Sequence, residues 1–522
     1  MAAESGQIVV IGAGIGGLSA ALRLAAAGHR VRVVEAAAAP GGKMRQVPSS
    51  AGPVDAGPTV LTMAPVFEDL FAAAGTTLSD HVTLVREPVL ARHWWPDGST
   101  LDLHDDAEAS AEAVGAFAGP GEARAFRAFT LRARALFDGF DAPIMQAPKP
   151  TLSRLVAHVL AHPGLATKIA PGRSLAGLLR TSFRDPRLRQ LFGRYATYVG
   201  GSPYLTPGLL CLIWASEAAG VWRVEGGMQR LAQAIADLAE ARGVTFSYGQ
   251  PVARVERQGG RASAVVLEDG ARIACTAVLF NGDPRALSLG LLGDGIREAI
   301  PGTGTEPRSY SAYVWHFAAE ADGLPLAHHN VIFGHDARSE FDDLEAGRMP
   351  ADPTLYICAQ DRGAGLHPEG RERFEIILNG PPGQSPPEEE FLRCRTLTFE
   401  TLSAAGLRLS PRPGREALTT PGDFSEAFPG SAGSLYGRSP HGTMAAFQRP
   451  TARTAVPGLY LAGGGAHPGA GVPMACLSGR HAAAAMTADL ASTSTSRRTA
   501  MPGGMSTGSP TTGPVRSRSS VS

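Results

Sequence analysis

QIVVIGAGIGG, residues 7–17, passes from an apolar run directly into a cluster of glycines. A run of that kind fits a strand buried on both faces. The glycines after it, Gly12, Gly14, Gly16 and Gly17, fit a strand-to-helix turn. Leu18 to Ala27 is rich in Ala and Leu and stops at Gly28, after which Val31-Arg32-Val33-Val34-Glu35 reads as a second strand. A βαβ unit with Gly-x-Gly-x-x-Gly at its turn and an acid at the end of its second strand is the dinucleotide-binding fingerprint. Gly12 permits the tight turn, Gly14 lets the backbone approach a pyrophosphate, and Gly17 lets the helix pack close on the strand. The helix N-terminus then faces the phosphate charge. Glu35 is placed to take ribose hydroxyls, and its charge repels a 2′-phosphate, which favours FAD or NAD over NADP. The phosphate loop of kinases is excluded, because the sole Gly-Lys pair, Gly42-Lys43, has Ala37 five positions before Gly42 and Met44 after the lysine.

The rest of the composition narrows the classes. A chain of 522 residues is expected to form two or more lobes. Hydrophobic residues at 44% and charged residues at 18% argue for a folded chain. Lys plus Arg equals Asp plus Glu at 48 each, which removes the basic footprint of a nucleic-acid binder. The five cysteines are scattered with no C-x-x-C pair, so neither a zinc ribbon nor a disulfide scaffold is expected, and a reducing compartment fits. No positively charged leader precedes the first strand, and no 18-residue apolar run is free of charges or clustered glycines. A cytoplasmic protein without a spanning helix is therefore expected, with attachment to a membrane surface left open.

The texture of the chain predicts its organisation. Residues 1–110 hold the first nucleotide-binding part, and 111–224 read mainly as helix. Residues 225–299 return to the nucleotide-binding part, with strands near 252–256 and 264–267 and a hairpin around Glu268-Asp269-Gly270. Residues 300–440, with strand-like runs at Ser311 to Phe317 and Glu375 to Leu378, form a sheet-containing substrate lobe. Residues 441–490 complete the nucleotide-binding part through a strand at 458–462, a glycine-rich turn and an Ala-rich helix. In 491–522, 22 of the 32 residues are Ser, Thr, Gly or Pro, so a disordered tail is expected.

Pro40-Gly41-Gly42-Lys43-Met44-Arg45 and Val54-Asp55-Ala56-Gly57-Pro58-Thr59 follow the acidic strand end, and Leu459 to Pro473 reads LYLAGGGAHPGAGVP. In that order these motifs resemble the flavoprotein superfamily of amine oxidases and carotenoid desaturases, and the last is closer to the phytoene-type carotenoid desaturases than to amine oxidases. Asp55 to Leu61, Ala91 to Gly98 and Met474 to Gly479 look most like the hydroxycarotenoid 3,4-desaturase branch, and the resemblance spans roughly residues 7–490. It implies an α/β amine oxidase-like flavoprotein fold: a Rossmann-like FAD-binding domain assembled from discontinuous segments, with a mixed sheet-and-helix substrate domain and a helical insertion. It also implies FAD contacts from Gly12, Gly14, Gly16, Gly17, Glu35, Gly41, Gly42, Lys43, Val252, Gly464, Gly465, Gly471, Val472 and Pro473.

The activity implied is insertion of a C-3,4 double bond into an acyclic 1-hydroxycarotenoid. The partners implied are a long apolar substrate, an electron acceptor of unspecified identity and the inner face of the cytoplasmic membrane. Other readings are a phytoene desaturase, another oxidase of the same fold, or an isoprenoid-binding chaperone resembling GTPase dissociation inhibitors. Desaturation removes a hydride and a proton from adjacent carbons, and an oxidised flavin is a natural hydride acceptor. A neighbouring polyene delocalises positive charge, so holding a long chain in an apolar tunnel becomes the protein's main task.

Several residues carry two readings. Trp94 and Trp95 either line the tunnel or pack in a core. His93 either moves a proton or is an ordinary histidine. His158 and His162 have i, i+4 spacing, but no other ligand pattern accompanies them and no metal is expected. Glu217 is either a buried base or lies on a solvated helix face. Leu152, Leu155, Val156, Val159 and Leu160 form one helical face, with Arg154 on the polar side, that meets either a membrane or the core. No catalytic residue is assigned.

Overall fold

The computed structural model describes residues 6–383 and 388–499. The decisive stretch forms the strand Gln7–Ile11, the helix Ile15–Ala26 and the strand Arg30–Val34. Both strands belong to a five-stranded parallel sheet whose other members come from far along the chain. Thr245–Ser247 pairs with Arg30–Val34, Ala277–Phe280 lies on the other side of Gln7–Ile11, and Leu459–Leu461 forms the far edge. The apolar run is continuous because each face has its own partner. Ile8 and Val10 pack among the helices Ile15–Ala26, Met228–Ala241 and Val472–Thr499. Val9 and Ile11 pack toward an antiparallel sheet of Val252–Gln258, Arg261–Leu267 and Arg272–Ala274. The hairpin at 268–270 joins the last two of these strands.

A second, larger sheet forms the substrate lobe. Its central strands run in the order Ser311–Asp322, Glu372–Gly380, Leu355–Ala359 and His329–Ile332, all antiparallel. Alternation divides its faces. Tyr313, Trp315, Phe317, Phe374, Ile376 and Leu378 enter a core beneath the helix Glu388–Ala404, where the Trp315 indole donates to Thr398 Oγ1 at 3.2 Å. Ala312, Val314, His316, Glu375, Ile377 and Asn379 face the opposite way, into a cavity.

Two boundaries read from the sequence are corrected. Residues 89–104 do not stay with the first nucleotide-binding part: Val89–Trp94 pairs in parallel with His329–Ile332, and Thr100–His104 adds beyond it, extending the large sheet. The tail does not begin at 491, because the helix Val472–Thr499 continues. No Gly or Pro interrupts residues 491–499, so nothing local stops it. The remainder of that expected tail, 500–522, lies outside the described residues.

The helical region is built around Phe126, Phe129, Phe183, Phe192, Tyr195 and Trp214, with the Phe129 and Phe192 rings 4.8 Å apart. The helix Leu152–Ala161 sits on its outside. Among the described residues, no helix is long and apolar enough to cross a membrane.

Candidate active site

A cavity of about 820 Å³ runs along the carboxyl ends of the parallel strands and on beneath the large sheet. Open α/β sheets bind ligands at this edge. Here each strand end contributes to the wall: Gly12 after Ile11, Glu35 after Val34, Asn281 after Phe280, and Gly463 to Gly465 after Leu461.

The glycines form a cradle that side chains would fill. A Cβ at Gly14 would lie 2.9 Å from Asn281 Nδ2, and one at Gly16 would lie 2.6 Å from the Gly463 amide nitrogen. At Gly464 a Cβ would meet no protein atom within 4 Å, so that backbone borders open cavity. Asn281 donates to the Gly12 carbonyl at 3.3 Å, while its Oδ1 is buried without a partner. Bare backbone at a helix start, an orphaned amide oxygen and a carboxylate at the second strand end suit the phosphates and ribose of a dinucleotide. The residues present therefore fit FAD.

Of the positions assigned from sequence, Gly12, Gly14, Gly16, Glu35, Gly41, Gly42, Lys43, Val252, Gly464, Gly465, Gly471, Val472 and Pro473 line this one cavity. Gly17 stands behind the wall, where a Cβ would lie 2.2 Å from the Gly12 carbonyl oxygen, so its role is packing. Lys43 donates to the Leu435 carbonyl at 2.5 Å and lies over the Phe428 ring, 5.1 Å from its centroid. Burial lowers its pKa to about 8, against an opposing pull from Asp283.

Beyond these segments the cavity widens into a chamber with apolar surfaces from Val314, Ile377, Phe424, Phe428 and Leu435. One polar group in its wall is Glu217, which is buried and does not lie on a solvated helix face. Burial raises its pKa, but both its oxygens are engaged, by the Tyr195 hydroxyl at 2.6 Å and the Tyr198 hydroxyl at 2.9 Å. Arg194 closes the cluster, donating to the Tyr198 hydroxyl at 3.1 Å.

The remaining candidates stand elsewhere. Trp94 and Trp95 enter two hydrophobic cores rather than the cavity wall, and the Trp95 indole donates to Gln190 at 3.0 Å. His93 is buried against Trp95 and Phe333 outside the cavity wall, with Nδ1 at 3.0 Å from the Leu101 carbonyl, and burial lowers its pKa to about 3. The His158 and His162 rings meet at a tilt on the outer helix, their centroids 4.4 Å apart, and His162 Nδ1 donates to the His158 carbonyl at 2.9 Å. Leu155 and Val159 pack against the helical core, whereas Leu152, Val156 and Leu160 are 50%, 49% and 77% exposed.

Sequence reasoning missed Asn281, His316, Tyr356 and Glu375 in the wall. Asn281 had a signal: it follows an apolar strand, as Gly12 does. The other three occupy alternating positions of strands whose cavity-facing side is set by distant packing.

The chain matches the family model described as flavin containing amine oxidoreductase over residues 15–312 and 385–487. It is 58% identical to a hydroxyneurosporene desaturase of Cereibacter sphaeroides, over 94% of this chain and 99% of the relative. A hydroxyneurosporene desaturase of Rhodobacter capsulatus is 54% identical, over 92% and 98%. Among solved structures, an oxidoreductase from Methanosarcina mazei superposes with a TM-score of 0.61 at 17% identity, covering 92% of this chain and all of that one.

Proposed function

Because the chain belongs to the flavin containing amine oxidoreductase family, and within it to the carotenoid desaturases, we propose that it desaturates acyclic 1-hydroxycarotenoids at the 3,4 carbon–carbon bond. The protein is an FAD-dependent oxidoreductase of carotenoid biosynthesis. When bound, FAD supplies an oxidised ring that accepts a hydride. The observation that carries the reading is the continuity of one cavity, from the glycine cradle to a chamber with apolar walls.

The chain's own residues hold and orient. Gly12, Gly14, Gly16, Asn281 and Glu35 would hold the nucleotide end, while Gly41 to Lys43 and Gly464 to Pro473 would hold the rest of the cofactor. Phe424, Phe428, Leu435 and Ile377 would keep the polyene chain dry. The hydroxyl group of a 1-hydroxycarotenoid needs a partner inside this chamber, since burying it unpaired costs about 1–3 kcal/mol. Arg194, whose Nε is buried without a hydrogen-bond partner, offers a donor in the wall, and Glu217 an acceptor.

A water-insoluble substrate supports a site on the inner face of the cytoplasmic membrane. The exposed Leu152, Val156 and Leu160 offer apolar anchors. Residues 142–184 around them contain no Asp or Glu and six Lys or Arg, which suits an anionic lipid surface. An acceptor outside this chain would then take the electrons.

The test is incubation of FAD-loaded protein with 1-hydroxyneurosporene and, in parallel, with phytoene. A red shift of the hydroxycarotenoid spectrum is expected. Conversion of phytoene alone would overturn the substrate assignment.

A further inference from the structure

Among the described residues, buried carboxylates are tied down, and the exception on the cavity wall is Glu375. Glu217 binds two tyrosine hydroxyls, and Glu340 accepts from Thr354 at 2.7 Å and Asn379 at 2.8 Å on separate oxygens. Glu87 is held by Arg223 at 3.1 Å and the Ala364 amide at 2.9 Å. Glu122 has one bare oxygen but is not part of the cavity wall.

Glu375 is fully buried on the central strand Glu372–Gly380 and faces the chamber. Its Oε2 accepts from Thr59 Oγ1 at 3.3 Å, and Oε1 has no hydrogen-bond partner. The nearest imidazole, His316 Nε2, is 3.4 Å from Oε1 and is itself without a hydrogen bond. Among the described residues no Arg or Lys pairs with Glu375. A buried carboxyl with a bare oxygen is costly as a structural element. It also lies beside Gly57 and Thr59, in the same wall as Gly42 and Lys43.

Resting on the desaturase reading, we propose that Glu375 is a catalytic residue, the base whose free Oε1 receives the proton that leaves the carotenoid. As hydride departs from one carbon to the oxidised flavin, the C–H bond on the adjacent carbon breaks. Its electron pair becomes the new carbon–carbon π bond, and its proton forms an O–H bond with the carboxylate. The Glu217 carboxylate is less suited to this step, because both its oxygens already bind hydroxyl donors.

The groups facing Glu375 are His316 on its neighbouring strand, Tyr356 and Cys358 on the other, and Asp55, Arg45 and Tyr436 from the loops and short strand above. Burial pushes the carboxyl pKa well up, Asp55 adds to this, and Thr59, Gly57 and Arg45 oppose it. Burial holds His316 neutral with a pKa lowered to about 3. A base must be ionised to act, so the rate of the wild-type protein rises with pH through the raised Glu375 pKa.

The experiment compares wild type, Glu375→Gln and Glu375→Asp, loaded with FAD and mixed with 1-hydroxyneurosporene in single turnover. Flavin stoichiometry and the spectral shift of bound carotenoid are read beside the rate. Glu375→Gln is expected to keep FAD and carotenoid, to lose about a hundredfold or more in rate, and to lose the rising pH limb. Glu375→Asp keeps the limb at reduced rate. In infrared spectra recorded across the rising limb, wild type is expected to show a carboxylic-acid carbonyl band below the limb that disappears above it, a band that Glu375→Gln lacks at every pH. A Glu375→Gln rate within threefold of wild type, a retained limb, or identical infrared spectra would overturn the assignment.

Should Glu375→Gln fail to fold, Thr59→Val carries the test. Removing the donor to Oε2 moves the limb to higher pH, and an unmoved limb overturns the proposal. Wild type that desaturates no carotenoid would instead sink the desaturase reading, which separates the two failures.

Discussion

The carboxylate of Glu35 accepts the backbone N–H of Ala13 at 2.5 Å and that of Ala37 at 2.8 Å. The acid at the end of the second strand thus fastens the glycine turn that follows the first, besides facing the cavity. Glu35→Ala therefore removes more than a ribose contact. Loss of a hydrogen bond to a charged group costs about 1.5–3 kcal/mol, so FAD affinity is expected to fall by at least tenfold. The melting temperature of the cofactor-free protein falls too, and calorimetry beside flavin titration checks both. A variant that weakens FAD while leaving the apo-protein unchanged would show that the turn does not depend on this anchor.

The glycines separate cofactor contact from packing. Gly17→Ala sets a methyl 2.2 Å from the Gly12 carbonyl and is expected to destabilise the fold itself. Gly464→Ala meets no protein atom within 4 Å and intrudes only on the cavity. The apo-protein should melt as wild type does, while flavin binding weakens. Unchanged FAD affinity in Gly464→Ala would place the cofactor away from this turn.

The outer helix Leu152–Ala161 makes a sharper test of membrane attachment than its apolar pattern alone permits. Changing the exposed trio Leu152, Val156 and Leu160 to Ser leaves the packed pair Leu155 and Val159 in place. Fold and FAD content are expected to survive, while co-sedimentation with anionic vesicles drops severalfold. Equal sedimentation of the triple variant and wild type would remove this helix from the interface.

The nucleotide half of the site was legible because its determinants are local. Spacing alone places Gly12, Gly14 and Gly17 on one turn and Glu35 at the next strand end, and no distant residue alters that geometry. The chamber was not legible in the same way. Ser311 to Phe317 reads as a strand, yet whether Trp315 or His316 faces the ligand depends on the helix Glu388–Ala404 lying over the Trp315 side. Trp94 and Trp95 are diverted into cores by the pairing of Val89–Trp94 with His329–Ile332, a partner more than 200 residues away. The outer helix shows a third kind of limit: periodicity finds its apolar face but not that two of its five residues, Leu155 and Val159, are already covered.

The parallel sheet that carries the cofactor edge is closed by Leu459–Leu461, and the helix Val472–Thr499 locks onto the first helix through Ser19 Oγ, which donates to the Cys476 carbonyl at 2.9 Å. During synthesis the glycine turn therefore emerges first and waits for almost the entire polypeptide before its opposite wall exists. Nascent or truncated chains lack Gly464 to Pro473 and offer flavin only half a cradle. Cofactor loading thereby depends on the last wall to be made, and a chain cut short before Gly464 is expected to hold flavin poorly.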